Sequence, residues 1–152
     1  SSDVCSSDLS LDLSIYENDD RKLYKWKNGT DSYGNNDIKN ILNKNPQKND
    51  YAFEAWWSYR VDINVKSLVN TDYFKLNGVS YDVGNYQIYV EEGATLNVAL
   101  TNTRAVGGDK HTQIKINNNS NVLNNYGYGE KTATYTMPGK VTTVIVDKAS
   151  NL

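Results

Sequence analysis

Tyr73-Phe-Lys-Leu-Asn-Gly-Val-Ser-Tyr-Asp82 decides the fold class. Asn77-Gly78 sits between two four-residue runs, and a type I′ turn needs positive φ at both central positions, which Asn and Gly adopt with least strain. The same punctuation recurs on either side of this hairpin. Glu91-Glu-Gly93 precedes Thr95-Leu-Asn-Val-Ala-Leu-Thr101, where Leu96, Val98 and Leu100 share one face. Gln87-Ile-Tyr-Val90 and Thr112-Gln-Ile-Lys-Ile-Asn117 supply further strands, with 102–111 as a loop most flexible at Gly107-Gly108. A polar Asn-rich turn and Tyr126-Gly-Tyr-Gly129 lead to the strand of Ala133, Tyr135 and Met137. Pro138-Gly139 separates that strand from Val141-Thr-Thr-Val-Ile-Val146, whose two apolar faces predict a central or covered position. About seven short strands spaced by turn residues predict a β-sandwich.

Residues 10–70 read differently. Leu11, Leu13 and Ile15 alternate, Asn18-Asp-Asp20 turns the chain, and Leu23-Tyr-Lys-Trp26 pairs back. Asn28 to Asn36 is a polar loop. Asp37 is an N-cap for a short helix near 37–43, with Ile38, Ile41 and Leu42 on one face and Pro46 ending it. The longest periodic run follows: Phe53, Ala55, Trp57, Tyr59, Val61, Ile63 and Val65 on odd positions, against Glu54, Trp56, Ser58, Arg60, Asp62, Asn64 and Lys66 on even ones. A strand of that length is about 40 Å long at roughly 3.3 Å per residue, so a bulge or bend letting it serve two sheets is expected.

The stretch Tyr89-Val-Glu-Glu-Gly-Ala-Thr-Leu-Asn-Val98, with Ala133-Thr-Tyr-Thr-Met-Pro-Gly139 and the valine-rich last strand, resembles bacterial and bacteriophage immunoglobulin-like modules. The resemblance covers about half the chain and implies an all-β fold: an immunoglobulin-like sandwich over 71–152, preceded by a truncated β-rich segment, 10–70. It also implies a structural or adhesive module of an extracellular, cell-surface or virion protein. The cysteine pair and core Trp of antibody domains are absent. Residues 1–9, Ser-Ser-Asp-Val-Cys-Ser-Ser-Asp-Leu, resemble the translated read-through of a short-read sequencing adapter and are expected to be disordered and dispensable. Cys5, the one cysteine, falls inside them, and the native N-terminus is then missing.

Composition narrows the function. Without Asp3 and Asp8 the charge is balanced, 16 acidic residues against 16 basic. Neither a basic stripe nor a high pI marks a nucleic-acid partner, and no window approaches the roughly 18 apolar residues that suggest a membrane span. With 12 Tyr and 3 Trp against 2 Phe, the aromatic surface favours rings that carry a polar handle.

Catalytic chemistry is hard to assemble from these residues. His111 is the one histidine, read as a solvent-facing loop residue beside Asp109 and Lys110, with no nucleophile-elbow motif. One His and no cysteine beyond position 5 argue against zinc. Glu91-Glu92 and Asp19-Asp20 lie at turns, where adjacent side chains diverge, so neither makes a glycosidase pair. Neither an enzyme, a cofactor nor a metal is expected, although Asn and Asp in 28–37 would ligate a hard cation loosely. Asn28-Gly-Thr30 and Asn118-Asn-Ser120 match glycosylation acceptors, a frequent coincidence in so Asn-rich a chain. What remains is aromatic: Trp56 on a polar strand face, with Arg60 and Asn64 beside it, and Tyr126 and Tyr128 near turns form the candidate ligand site. Partners would be a glycan or another surface or virion protein, and a dedicated carbohydrate-binding module is the alternative to a structural role, as is the accessory part of a truncated polysaccharide-active enzyme. The competing expectation is that Trp56 packs under the 28–46 insertion and that the tyrosines cap the sandwich ends.

Overall fold

Alternating side chains in runs too short for helices give strands. The computed structural model describes residues 3–5, 17–28, 31–33, 52–104, 110–124 and 126–152. Among them the chain forms β1 (Asp3–Cys5), β2 (Arg21–Asn28), β3 (Asp31–Tyr33), β4 (Ala52–Val65), β5 (Thr71–Leu76) and β6 (Val79–Tyr81). It continues with β7 (Gly84–Glu91), β8 (Thr95–Asn102), β9 (Thr112–Ile116), β10 (Asn119–Asn124), β11 (Gly129–Thr136) and β12 (Thr142–Lys148), then a 3-10 turn, Ala149–Asn151. The fold is all-β, as expected. The helix expected at 37–43 and the 102–111 loop from Ala105 to Asp109 lie outside the described residues.

Two sheets pack face to face. The smaller runs β11-β8-β5-β6, and the larger runs β10-β9-β12-β4-β2-β3 with β7 and β1 also on β4. Asn77 and Gly78 have φ of 49° and 80°, so the β5–β6 turn forms as the sequence requires. Asn77 also clamps the hairpin to β8: its N–H donates to the Asn97 carbonyl, and its Oδ1 accepts from the Asn97 N–H, both at 2.8 Å. Val61, Ile63 and Val65 of β4 meet Phe74 and Leu76 of β5, Leu96, Val98 and Leu100 of β8, and Val144 and Val146 of β12 in one core. Each such side chain contributes about 1.5–3 kcal/mol when fully buried.

β4 is the spine of the larger sheet. Tyr59 pairs with Arg21 of β2 and Val90 of β7, while Val61 pairs with Thr142 of β12 and Ile88 of β7. β2 and β12 therefore succeed one another along one side of β4, with β7 along the other. The expected device for a long strand differs: β4 stays in one sheet, and the bulge falls in β2, where Leu23 opposes Trp57 and Lys25 opposes Trp56. On the odd face Trp26, Ala55 and Trp57 are buried, with the Arg21 guanidinium 4.1 Å from the Trp57 ring centroid.

Strand pairing bears on three further expectations. Strand pairing crosses the boundary drawn at 70/71, because β4 pairs with both β7 and β12; the C-terminal strands cannot cover their core without it. The Asn-rich stretch is only partly a turn: Asn117, with φ of 51°, and Asn118 turn the chain, and Asn119–Asn124 form β10, an eighth strand of that half. Of residues 1–9, Asp3–Cys5 are paired rather than disordered, lying against Ala52–Glu54. β4 runs past its last pair with β7, Ser58 with Glu91, and an open edge accepts any extended backbone.

The strand order also has a consequence for the resemblance. In immunoglobulin sandwiches the last two strands are neighbours in one sheet. Here β11 pairs with β8 in the smaller sheet and β12 with β9 and β4 in the larger. Pro138-Gly139 carries the chain from one layer to the other. A Cβ on Gly139 would meet Glu92 Oε1 at 2.9 Å, the movable end of an exposed side chain, so the two turns lie close without requiring glycine there.

Candidate functional site

Period-two alternation puts the even residues of β4 on the face of the larger sheet that turns away from the core. Register then brings polar neighbours beside them. Asp62 lies opposite Gln87 of β7 and Thr143 of β12, and Asn64 lies opposite Asn85 of β7. Together with Tyr86 these residues line an open groove of about 590 Å³. That volume lies in the range of about 300–1,000 Å³ common to small-ligand sites. Its side chains are mostly amide, hydroxyl and carboxylate, rich in both donors and acceptors and carried on strands, not loops. Asp62 accepts from Arg60 Nε at 3.0 Å, which offsets the one formal charge in the groove.

A ridge crosses the same face at Arg60, two residues along β4 from Asp62. The Asp19 carbonyl, in the turn before β2, accepts from Arg60 Nη1 at 3.1 Å and from the Tyr89 hydroxyl at 2.8 Å. Arg60 Nη1 also lies 3.1 Å from Asp20 Oδ1, and the Arg60 N–H donates to the Asp20 carbonyl at 2.8 Å. Tyr89 is on β7 and the turn is on the β2 side, so this contact passes over β4. Lys22 Nζ packs 4.4 Å from the Tyr89 ring centroid and backs the ridge on its far side.

The five residues expected to form one site do not meet. Asn64 lines the groove. Arg60 builds the ridge, its guanidinium committed to Asp62, Asp20 and Asp19. Trp56 is half-buried opposite Lys25, beyond the ridge, six residues or about 20 Å along β4 from Asp62. Tyr126 and Tyr128 are exposed, and both precede β11 at the end of the smaller sheet, where Gly129 pairs with Asn102.

His111 is a correction. It is 3 % exposed, with Nε2 3.1 Å from Asn124 Oδ1 and its ring centroid 4.1 Å from that of Tyr126. Burying an imidazole against a tyrosine ring and an amide is a packing arrangement. The same end holds a buried hydroxyl cluster: Thr71 Oγ1 donates to Asn102 Oδ1 at 3.1 Å and lies 2.9 Å from Thr112 Oγ1. Glu91 is engaged by Lys25 Nζ at 3.9 Å, and Asp19 and Asp20 belong to the ridge. Most of the 28–37 loop lies outside the described residues.

Asp62, Asn85, Gln87 and Thr143 are the residues missed. Asn85 and Gln87 alternate with the half-buried Tyr86 and Ile88, a visible signal of an outward face. Nothing in the sequence says that β7 and β12 flank β4. Compared with known proteins, the chain matches no family model, no curated protein and no solved structure.

Proposed function

We propose that this chain is a non-catalytic, adhesive β-sandwich module of a surface-displayed protein, either a phage virion component or a bacterial extracellular protein, and that its outer sheet face binds neutral glycan. The observation that carries the reading is the pair of opposed polar rows, Thr143–Asp62–Gln87 and Asn64–Asn85, around one groove. Sugar hydroxyls each donate and accept, and side-chain amides match both roles without a net charge. Support for a non-catalytic role comes from the engagement of acid–base candidates: His111 is buried in packing, and the Asp20 and Glu91 carboxylates are held in ion pairs. The immunoglobulin-like likeness then extends to the layered architecture and not to the order of the last two strands.

The test is a glycan array of neutral saccharides, followed by titration of Asn64→Ala and Gln87→Ala. Loss of binding in both, with thermal stability within a few degrees of the parent, is the expected result. A module that only spaces its neighbours would bind no saccharide on the array.

A further inference from the structure

We infer that the groove is an end-blocked subsite that takes a terminal mono- or disaccharide unit of a neutral glycan, and excludes an internal stretch of a polysaccharide lying along β4. This rests on the glycan-binding reading above and adds the shape of the ligand to it.

The argument starts from the ridge. A sheet face that reads a long polymer must leave the strand direction clear, so that successive sugars meet successive even residues. β4 offers such a track by sequence: Trp56, Ser58, Arg60, Asp62 and Asn64 point to the same side. The track is interrupted in the middle. Asp19 sits over Arg60, held by the guanidinium on one side and by the Tyr89 hydroxyl reaching from β7 on the other.

The turn that carries Asp19 is itself fixed. Asn18 Oδ1 accepts from the Asp20 N–H at 2.9 Å and the Arg21 N–H at 3.1 Å, an Asx-type turn that sets Asp19 at its tip. The Asp20 carbonyl is bonded to the β4 backbone at Arg60. The barrier is therefore anchored on three elements, β2, β4 and β7.

Asp62 and Asn64 are two residues apart, about 7 Å along the strand, which admits one or two sugar rings before the ridge is reached. Trp56 lies on the far side, with Lys22, Lys25 and Glu91 around it, and belongs to a separate compartment. The side of the groove away from the ridge, towards Asn64 and Asn85, is where the rest of a glycan leaves.

The experiment titrates the full chain calorimetrically with neutral gluco-, galacto-, manno- and N-acetylglucosamine oligomers of increasing length, from the monomer to the hexamer. For the series that binds, affinity should rise from monomer to dimer and then stay within about twofold, since further rings find no new contacts. Trp56→Ala should leave every affinity unchanged, and Gln87→Ala should weaken the dimer about tenfold or more. Tyr89→Phe, which removes the hydroxyl and keeps the ring, provides a mild perturbation of the ridge itself, with its folding checked by circular dichroism. Affinity that climbs steadily to the hexamer and falls in Trp56→Ala would overturn the end-blocked subsite and leave glycan binding standing. Absence of binding across all four series would overturn the glycan reading and this inference with it.

Discussion

Asp147 offers the sharpest test of how the larger sheet is held in register. It is 6 % exposed at the end of β12, and its Oδ1 accepts from Ser67 Oγ at 2.6 Å, the Lys148 N–H at 2.7 Å and Asn151 Nδ2 at 3.3 Å. Ser67 follows β4, and the Lys66 N–H donates to the Val146 carbonyl at 2.8 Å, so this carboxylate locks the C-terminal ends of the parallel β4–β12 pair. Burial pushes the Asp147 pKa up, but the hydrogen bonds from Ser67, Lys148 and Asn151, with the charge of Lys66, outweigh it and hold the group below the ordinary carboxylate value. A depressed folded pKa means that the charged form stabilises the fold above the unfolded value, near 3.9, and that this stability is lost as pH falls through the folded value. Hydrogen bonds to a charged acceptor are worth about 1.5–3 kcal/mol each, so Asp147→Asn, which keeps the shape and loses the charge, should cost about 1–3 kcal/mol at pH 7. Asp147→Ala also strands the Ser67 hydroxyl and the Lys148 N–H, and should cost about 3–5 kcal/mol. Urea unfolding at pH 7 and pH 2.5 separates the two contributions. The gap between parent and Asp147→Asn should shrink at about pH 2.5, below the unfolded value, where protonation of the unfolded chain removes part of the advantage of the charged form. A gap that is absent at pH 7, or equally wide at both, would refute the argument.

Other positions give independent checks. Asn77→Ala removes both a residue tolerant of positive φ and the Oδ1 that accepts from the Asn97 N–H, and chemical denaturation should show a loss of about 1–3 kcal/mol. Trp57 is 2 % exposed and its indole N–H has no acceptor among the described residues, so Trp57→Phe should cost less than about 2 kcal/mol while Trp57→Ala costs about 3–5, measured in the same way. Gly139→Ala meets only the movable end of the exposed Glu92 and should change stability by no more than about 0.5 kcal/mol, read from the melting temperature.

Local structure was legible wherever a backbone angle or an alternation was at stake. Asn77-Gly78 gave its hairpin because positive φ at two successive positions leaves few residues to choose from. The odd positions of β4 are buried from Ala55 to Val65 apart from the half-buried Tyr59, because a one-residue slip would expose the whole row. β12 lies between β4 and β9, as a strand apolar on both faces must. What the sequence hid was adjacency. Asp62 meets Thr143 across 81 positions of chain, and no local pattern encodes that β12 pairs with β4 in parallel. β10 was hidden for another reason: Asn119-Ser-Asn-Val-Leu-Asn124 has turn-forming composition, and it is a strand because β9 offers it an edge. Trp56, half-buried in the structure, stayed ambiguous in the sequence because an aromatic on a polar face is equally a ligand platform and a half-buried wedge, and alternation alone cannot separate the two.

The groove proposed for ligand binding lies on the sheet face and away from the loop tips. In immunoglobulin variable domains the loops at one end of the sandwich carry the ligand contacts. At the corresponding end here the imidazole of His111 is buried beneath the exposed Tyr126 ring, Thr71 shares its hydroxyl with Thr112 and Asn102, and Tyr126 and Tyr128 remain open to solvent. The polar groups that line the groove lie on β4, β7 and β12, where backbone ladders set their spacing. A groove built this way cannot reshape itself around varied partners as loops do. Under the proposed glycan reading it would suit a ligand of fixed stereochemistry presented in one orientation, such as the terminus of a glycan chain. Its two walls, β7 and β12, are joined only through β4, so geometry in the groove and register in the sheet stand or fall together. A substitution such as Asp147→Asn, far from any ligand, should therefore weaken binding in proportion to the disorder it introduces at the β4–β12 junction.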